Sequence, residues 1–171
     1  MKRPDLLNDV VRFVKSDPSE LWKRMGKAMW SVQVLEFGIA HFIVANKRPL
    51  PTTQDELQRA LGQEFRQTLG QLARTLGKVQ NLPNGFEDDL SWLVDERNWL
   101  AHNIWLQNHN DIRRLDTFNR LLKRLESLDH RAMNLAKIIA GLMEKWAISR
   151  GISQKELDAE ASRLYSKGKF P

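Results

Sequence analysis

Arg97 and His102 stand five residues apart in the stretch Asp95-Glu96-Arg97-Asn98-Trp99-Leu100-Ala101-His102. Arginine is a permanent planar cation that suits phosphate oxygens, and histidine exchanges protons near neutral pH. With the neighbouring Asn98 amide, these groups supply half of what RNA transesterification needs. A base must take the 2′-OH proton, and a cation must offset charge developing on the phosphorus oxygens. No metal is required for this route. The same residues also suit an ordinary helix, with Arg97 in an internal ion pair and His102 on the surface.

Other residues qualify the site. Glu36 falls in the stripe Met29, Val32, Ile39, Ile43, where a carboxylate is costly unless paired. Arg97 is its candidate partner, and Glu36 would then support the guanidinium; the alternative is a carboxylate at the stripe's edge that reaches solvent. His41, among Phe37, Phe42 and Val44, reads as a packed, hydrogen-bonded core histidine, His109 as a loop residue and His130 as a residue without a motif around it. Arg113, Arg120 and Arg124 follow seven- and four-residue steps. They form a ridge able to guide an RNA backbone; the alternative is a solvated helix face balanced by Asp116 and Glu126. No set of His, Asp or Glu has convincing metal-ligand spacing, so neither a metal nor a cofactor is expected.

Helices must position these groups. Asp17-Pro18-Ser19-Glu20 reads as a cap and first turn, opening a helix from Leu21 to about Asn46. Thr53-Gln54-Asp55-Glu56 has the form of a capping box. A second helix follows to about Val79 through Leu57, Leu61, Phe65, Leu69, Leu72 and Leu76. Asn81-Leu82-Pro83-Asn84-Gly85 is a turn, and the acidic cluster Glu87-Asp88-Asp89 suits the start of a third helix, which carries the Arg97–His102 stretch. After a break at Asn108-His109-Asn110-Asp111, a fourth helix runs from about Ile112 to Ser149. Ser153-Gln154-Lys155-Glu156 caps a short tail helix.

No strand-like alternation persists, so the fold class is all-α. An antiparallel bundle of about four long helices is expected over residues 18–150, preceded by a segment 1–17 that is either flexible or a short helix lined by Leu6, Leu7, Val10, Val11 and Val14, and followed by a tail helix in 151–171. Both capping boxes also look like starts of helix-turn-helix helices, a DNA-binding reading that capping explains better.

The 171 residues carry no cysteine, which excludes disulfides, thiolate zinc sites and thiol nucleophiles. No signal-peptide core follows Met1, and the apolar run Val32–Ala45 is interrupted by Gln33, Glu36 and His41. A soluble cytoplasmic protein with no membrane span is expected. The net charge is +6 and is uneven: residues 1–110 hold 14 basic and 13 acidic residues, and residues 111–171 hold 13 and 8. A basic half can meet phosphates. The six tryptophans sit in helical patterns, as core or interface residues or, alternatively, as rings that stack on a base. Trp92 and Trp99, seven apart, share a helix face suited to a dimer seam.

Arg97-Asn98-Trp99-Leu100-Ala101-His102 resembles the Arg-Asn-x-x-Ala-His form of the HEPN superfamily motif (higher eukaryotes and prokaryotes nucleotide-binding domains). The likeness of architecture covers roughly residues 19–148, and the motif about ten residues. The resemblance implies a metal-independent endoribonuclease, with transesterification to a 2′,3′-cyclic phosphate, in toxin–antitoxin or phage-defence systems. It implies a homodimer with two motifs facing one cleft, RNA as substrate and, for a toxin, an antitoxin protein as partner. His102 would be the general base, Arg97 the phosphate ligand and Asn98 a positioning amide, with the general acid from the second chain. Some toxins of this superfamily carry Tyr two residues after the His, where this chain has Ile104. Other members have lost catalysis and serve as scaffolds or RNA-binding modules. Geometry adds a constraint: at about 100° per residue, Arg97 and His102 lie about 140° apart on a regular helix. A bend, a long reach or a cleft shared across a dimer would reconcile them.

Overall fold

The computed structural model describes residues 18–47, 50, 53–78, 82–108 and 114–166. Among them the elements are α1 (Pro18–Asn46), α2 (Gln54–Glu64), α3 (Leu69–Leu76), α4 (Phe86–His102), α5 (Ile104–Asn108), α6 (Leu115–Ser149) and α7 (Gln154–Ser166), with no strand. The expectations for residues 1–17, His109 and Arg113 fall outside the described residues.

The frame is the pairing of α1 with α6. Leu21, Ala28, Leu35 and Phe42 on α1 are buried at seven-residue steps, with Val32 and Ile39 between them. On α6, Phe118, Leu125, Ala132 and Ile139 repeat at the same interval, interleaved with Leu121, Leu128 and Leu135. Alternating three- and four-residue steps on both helices are the pattern of a coiled-coil seam. Small residues let the helices close up: a Cβ on Gly38 would lie 3.3 Å from Ile139 Cγ2.

The two helices run parallel. Lys27 and Ser31 both meet Asp129, and further along each helix Gly38 meets Ile139. An up-down-up-down order would set the first and last long helices antiparallel. The difference lies between them, where the expected second helix is broken into α2 and α3. Thr68 caps α3 with a reciprocal box: its Oγ1 accepts from Gln71 N at 3.3 Å, and its own N–H donates to Gln71 Oε1 at 2.8 Å. Leu57 and Phe65, which the periodicity assigns to the core, are 43% and 47% exposed.

Near that break the buried carboxylate of Glu64 accepts from Lys47 Nζ and Gln67 Nε2, each at 2.6 Å, tying the end of α1 to the end of α2. Gly85 precedes α4 with φ 79°, a left-handed conformation that glycine adopts without steric cost. α4 then crosses α6 in the opposite sense, since Asp89 meets Arg131 and Glu96 meets Arg124. Ser153 and Glu156 close the expected capping box on α7.

α1 is long and apolar enough to cross a membrane by length and composition, with mean hydropathy 1.4 over its most apolar window. The run Val32–Ala45 alone understates it, because the helix starts well before Val32. Of that window, 56% is buried inside the fold, as in a core helix.

Candidate functional site at the end of helix α4

The sequence-predicted residues cluster on the last turns of α4, but they do not face one way. Arg97 is half-buried, and its Nε is buried without a hydrogen-bond partner. Asn98, Ala101 and His102 are exposed. The helix stays regular through His102 and breaks only at Asn103, whose N–H donates to Trp99 O at 2.8 Å. A break after His102 leaves the angle between Arg97 and His102 as the helix sets it, about 140°. Asn98 and His102, one turn apart, share the outer side.

Glu36 is half-buried and lies in the field of Arg97. Burial of the half-buried carboxyl pushes it above the usual carboxylate range; attraction to Arg97 and a hydrogen bond from the Leu69 N–H partly hold it down. The two side chains do not close to a direct ion pair. Leu69 opens α3, so the break between α2 and α3 brings a backbone donor to this carboxylate.

Arg124 is committed elsewhere. Its Nε and Nη2 donate to the two oxygens of Glu96 at 2.5 and 2.8 Å, and its guanidinium carbon sits 3.5 Å from the centroid of a Trp99 ring. Trp99 is buried and donates from Nε1 to Gln107 Oε1 at 2.9 Å, which draws α5 back onto α4. This network spans 28 residues of sequence between Glu96 and Arg124 and carried no signal in the local pattern. It separates Arg124 from the expected ridge, of which Arg120 is exposed on α6. Arg131 covers Trp92 at 4.2 Å in the same way. Both tryptophans expected on a dimer seam are therefore capped by α6 cations of their own chain.

His41 is half-buried, not a core residue; its Nδ1 lies 2.8 Å from Phe37 O, and its ring packs against Phe37 and Phe65. His130 is exposed on α6 beside Asn134. Among the described residues no three His, Asp or Glu side chains group as a metal site. A cavity of about 460 Å³ lies between α3 and α4, floored by Leu76, Leu90 and Val94 and rimmed by Glu87, Asp88 and Asp95. Its carboxylates are the wrong sign for a phosphate backbone, and it includes neither Arg97 nor His102.

No family model matches the chain, nor does any curated protein or solved structure.

Proposed function

We propose that this chain is a metal-independent endoribonuclease of HEPN type, built on a HEPN-like helical bundle and acting as a homodimer in the cytoplasm. His102 takes the 2′-OH proton as the 2′-oxygen attacks phosphorus, Arg97 neutralises the phosphate, Asn98 orients it, and the 5′-oxygen departs with a proton taken from water. Glu36 supplies the counter-charge that steadies Arg97. The observation that carries this reading is the end of α4. There a half-buried guanidinium has an unspent Nε donor in the field of Glu36, while Asn98 and His102 stand open to solvent.

Because Arg97 and His102 diverge on one helix, a second copy completes the site, so that Arg97 of one chain and the partner's His102 serve the same phosphate. Such an enzyme fits a toxin or phage-defence effector, held in check by an antitoxin protein.

The test is incubation of purified protein with mixed RNA in EDTA, alongside His102→Ala and Arg97→Ala variants of unchanged oligomeric state. Cleavage by the wild type and its loss in both variants is expected. Cleavage persisting in both would refute the assigned roles. The divergence of Arg97 and His102 also favours a second reading, a non-catalytic helical module that binds RNA or a cognate protein; retained RNA binding without cleavage would select it.

A further inference from the structure

The outward face of α1 has an unusual composition, and among the described residues large aromatic rings stand exposed along it. Trp22 is 55% exposed, Trp30 49% and Phe37 45%, eight and seven residues apart, so all three lie on one side of the helix. The other large exposed side chains on that face are Lys23, Lys27 and Gln33; neither carboxylate of α1, Glu20 or Glu36, is fully exposed. Phe65, 47% exposed, stacks on Phe37 with ring centroids 5.4 Å apart, and exposed Arg66 follows it. Buried tryptophan would be explained by the core. Three half-bare aromatic rings in line, flanked by cations, call for a ligand that is both flat and anionic.

We infer that this face of α1 is a stacking platform for single-stranded RNA, with Trp22, Trp30 and Phe37 receiving bases and Lys23 and Lys27 following the phosphates. At 1.5 Å per residue the rings are about 12 and 10.5 Å apart. That exceeds the roughly 3.4 Å step of a stacked strand, so each ring takes a separate base from an extended chain. Stacking of this kind is tolerant of sequence. Lys27 already answers Asp129 at 2.7 Å, which leaves Lys23 as the principal phosphate contact. A second copy of the chain is the competing occupant. A two-fold contact through this face would set the Lys23 cations of both copies, which have no ion pair among the described residues, against the same apolar stripe, and the charge therefore favours RNA. The inference rests on the proposed action on RNA but not on catalysis.

The experiment is a titration of the whole protein in EDTA with a twelve-residue oligouridylate and with a duplex RNA of equal length. Tryptophan fluorescence and anisotropy report binding; Trp30→Ala, Phe37→Ala and Lys23→Gln variants are checked for unchanged helicity. The platform predicts tryptophan quenching by the single strand and weaker binding of the duplex. Affinity for the single strand falls about tenfold for each ring removed, and Lys23→Gln lowers the salt slope by about one. Wild-type binding without cleavage would sustain the platform while overturning the ribonuclease reading. Absence of RNA binding, equal affinity for duplex, or ring variants that bind as the wild type does would overturn the platform. So would ring variants that merely turn a dimer into a monomer.

Discussion

Replacing Arg124 with Met tests whether the α4–α6 network is structural. The substitution keeps most of the apolar stem over Trp99 and removes the charge. Two charge-assisted hydrogen bonds to Glu96 are lost, and a Glu96 side chain only 13% exposed is left without its cation. Hydrogen bonds to charged groups contribute about 1.5–3 kcal/mol each, and stranding a buried charge adds to the loss. The Arg124 side chain is 38% exposed, so solvent screening trims these figures. A net loss of about 2–3 kcal/mol follows. For a chain of this size that corresponds to a fall in Tm of about 5–10 °C. Urea unfolding followed by circular dichroism measures it, and the Glu96→Gln and double variants complete a thermodynamic cycle. A coupling energy of about 1–2 kcal/mol is expected. A stability change under about 0.5 kcal/mol with no coupling would refute the network. Arg124 would then be free to join Arg120 as a phosphate contact.

Three further outcomes follow from the structure. Burial holds the folded-state pKa of Glu36 above its ordinary value, so its ionised form costs stability, fully above that raised pKa and not at all well below the ordinary one near 4.3. Glu36→Gln is therefore at least as stable as the wild type at pH 7, the difference closing as pH falls toward 4, while RNA cleavage drops; a loss above about 1 kcal/mol at pH 7 would contradict this. Asp129 behaves oppositely: burial, the largest influence, pushes its carboxyl up, but the hydrogen bonds from Lys27 and Ser31 outweigh it and hold it low. Its stabilisation is present above the ordinary aspartate value near 4 and is lost as pH falls through the depressed one. Asp129→Asn thus costs about 1–2 kcal/mol at pH 7 and progressively less below pH 4, as denaturant midpoints across pH would report. Thr68→Ala removes the α3 cap and lowers stability by about 1 kcal/mol, read from thermal melts; no change would mean that the break is held by packing alone.

Much of the helical layout was legible in the sequence because local signals carried it. Pro18 opens α1, Thr53 caps α2, and the acidic turn from Glu87 starts α4, each by chemistry within a few residues. The break between α2 and α3 was missed because Leu61, Phe65, Leu69 and Leu72 keep helical spacing straight across it. Thr68-Leu69-Gly70-Gln71 has the same reciprocal cap form as Thr53-Gln54-Asp55-Glu56 and was the signal that could have found it. The parallel course of α1 and α6 depends on that break and on how the intervening chain returns, which no local pattern encodes. At the candidate site, a carboxylate in an apolar stripe pointed to Arg97 as the cation in reach, but the direct pair does not form, because side-chain reach across the packed helices is not encoded in spacing. Arg124 looked free because its partner, Glu96, is remote in sequence. Trp22 and Trp30 sit at core-like spacing, and only the packed fold distinguishes the bare face of α1 from its buried one.

The central claim is that a second copy completes the site, and subunit complementation tests it most directly. His102→Ala and Arg97→Ala proteins, each inactive alone, are mixed in equal amounts, allowed to exchange, and assayed for RNA cleavage in EDTA, with heterodimer formation verified by native mass spectrometry. Random pairing makes half the dimers mixed, and two-fold symmetry gives each mixed dimer one site with Arg97 and the partner's His102 both intact, so about a quarter of wild-type activity returns. Verified heterodimers with no activity would contradict a site shared between chains.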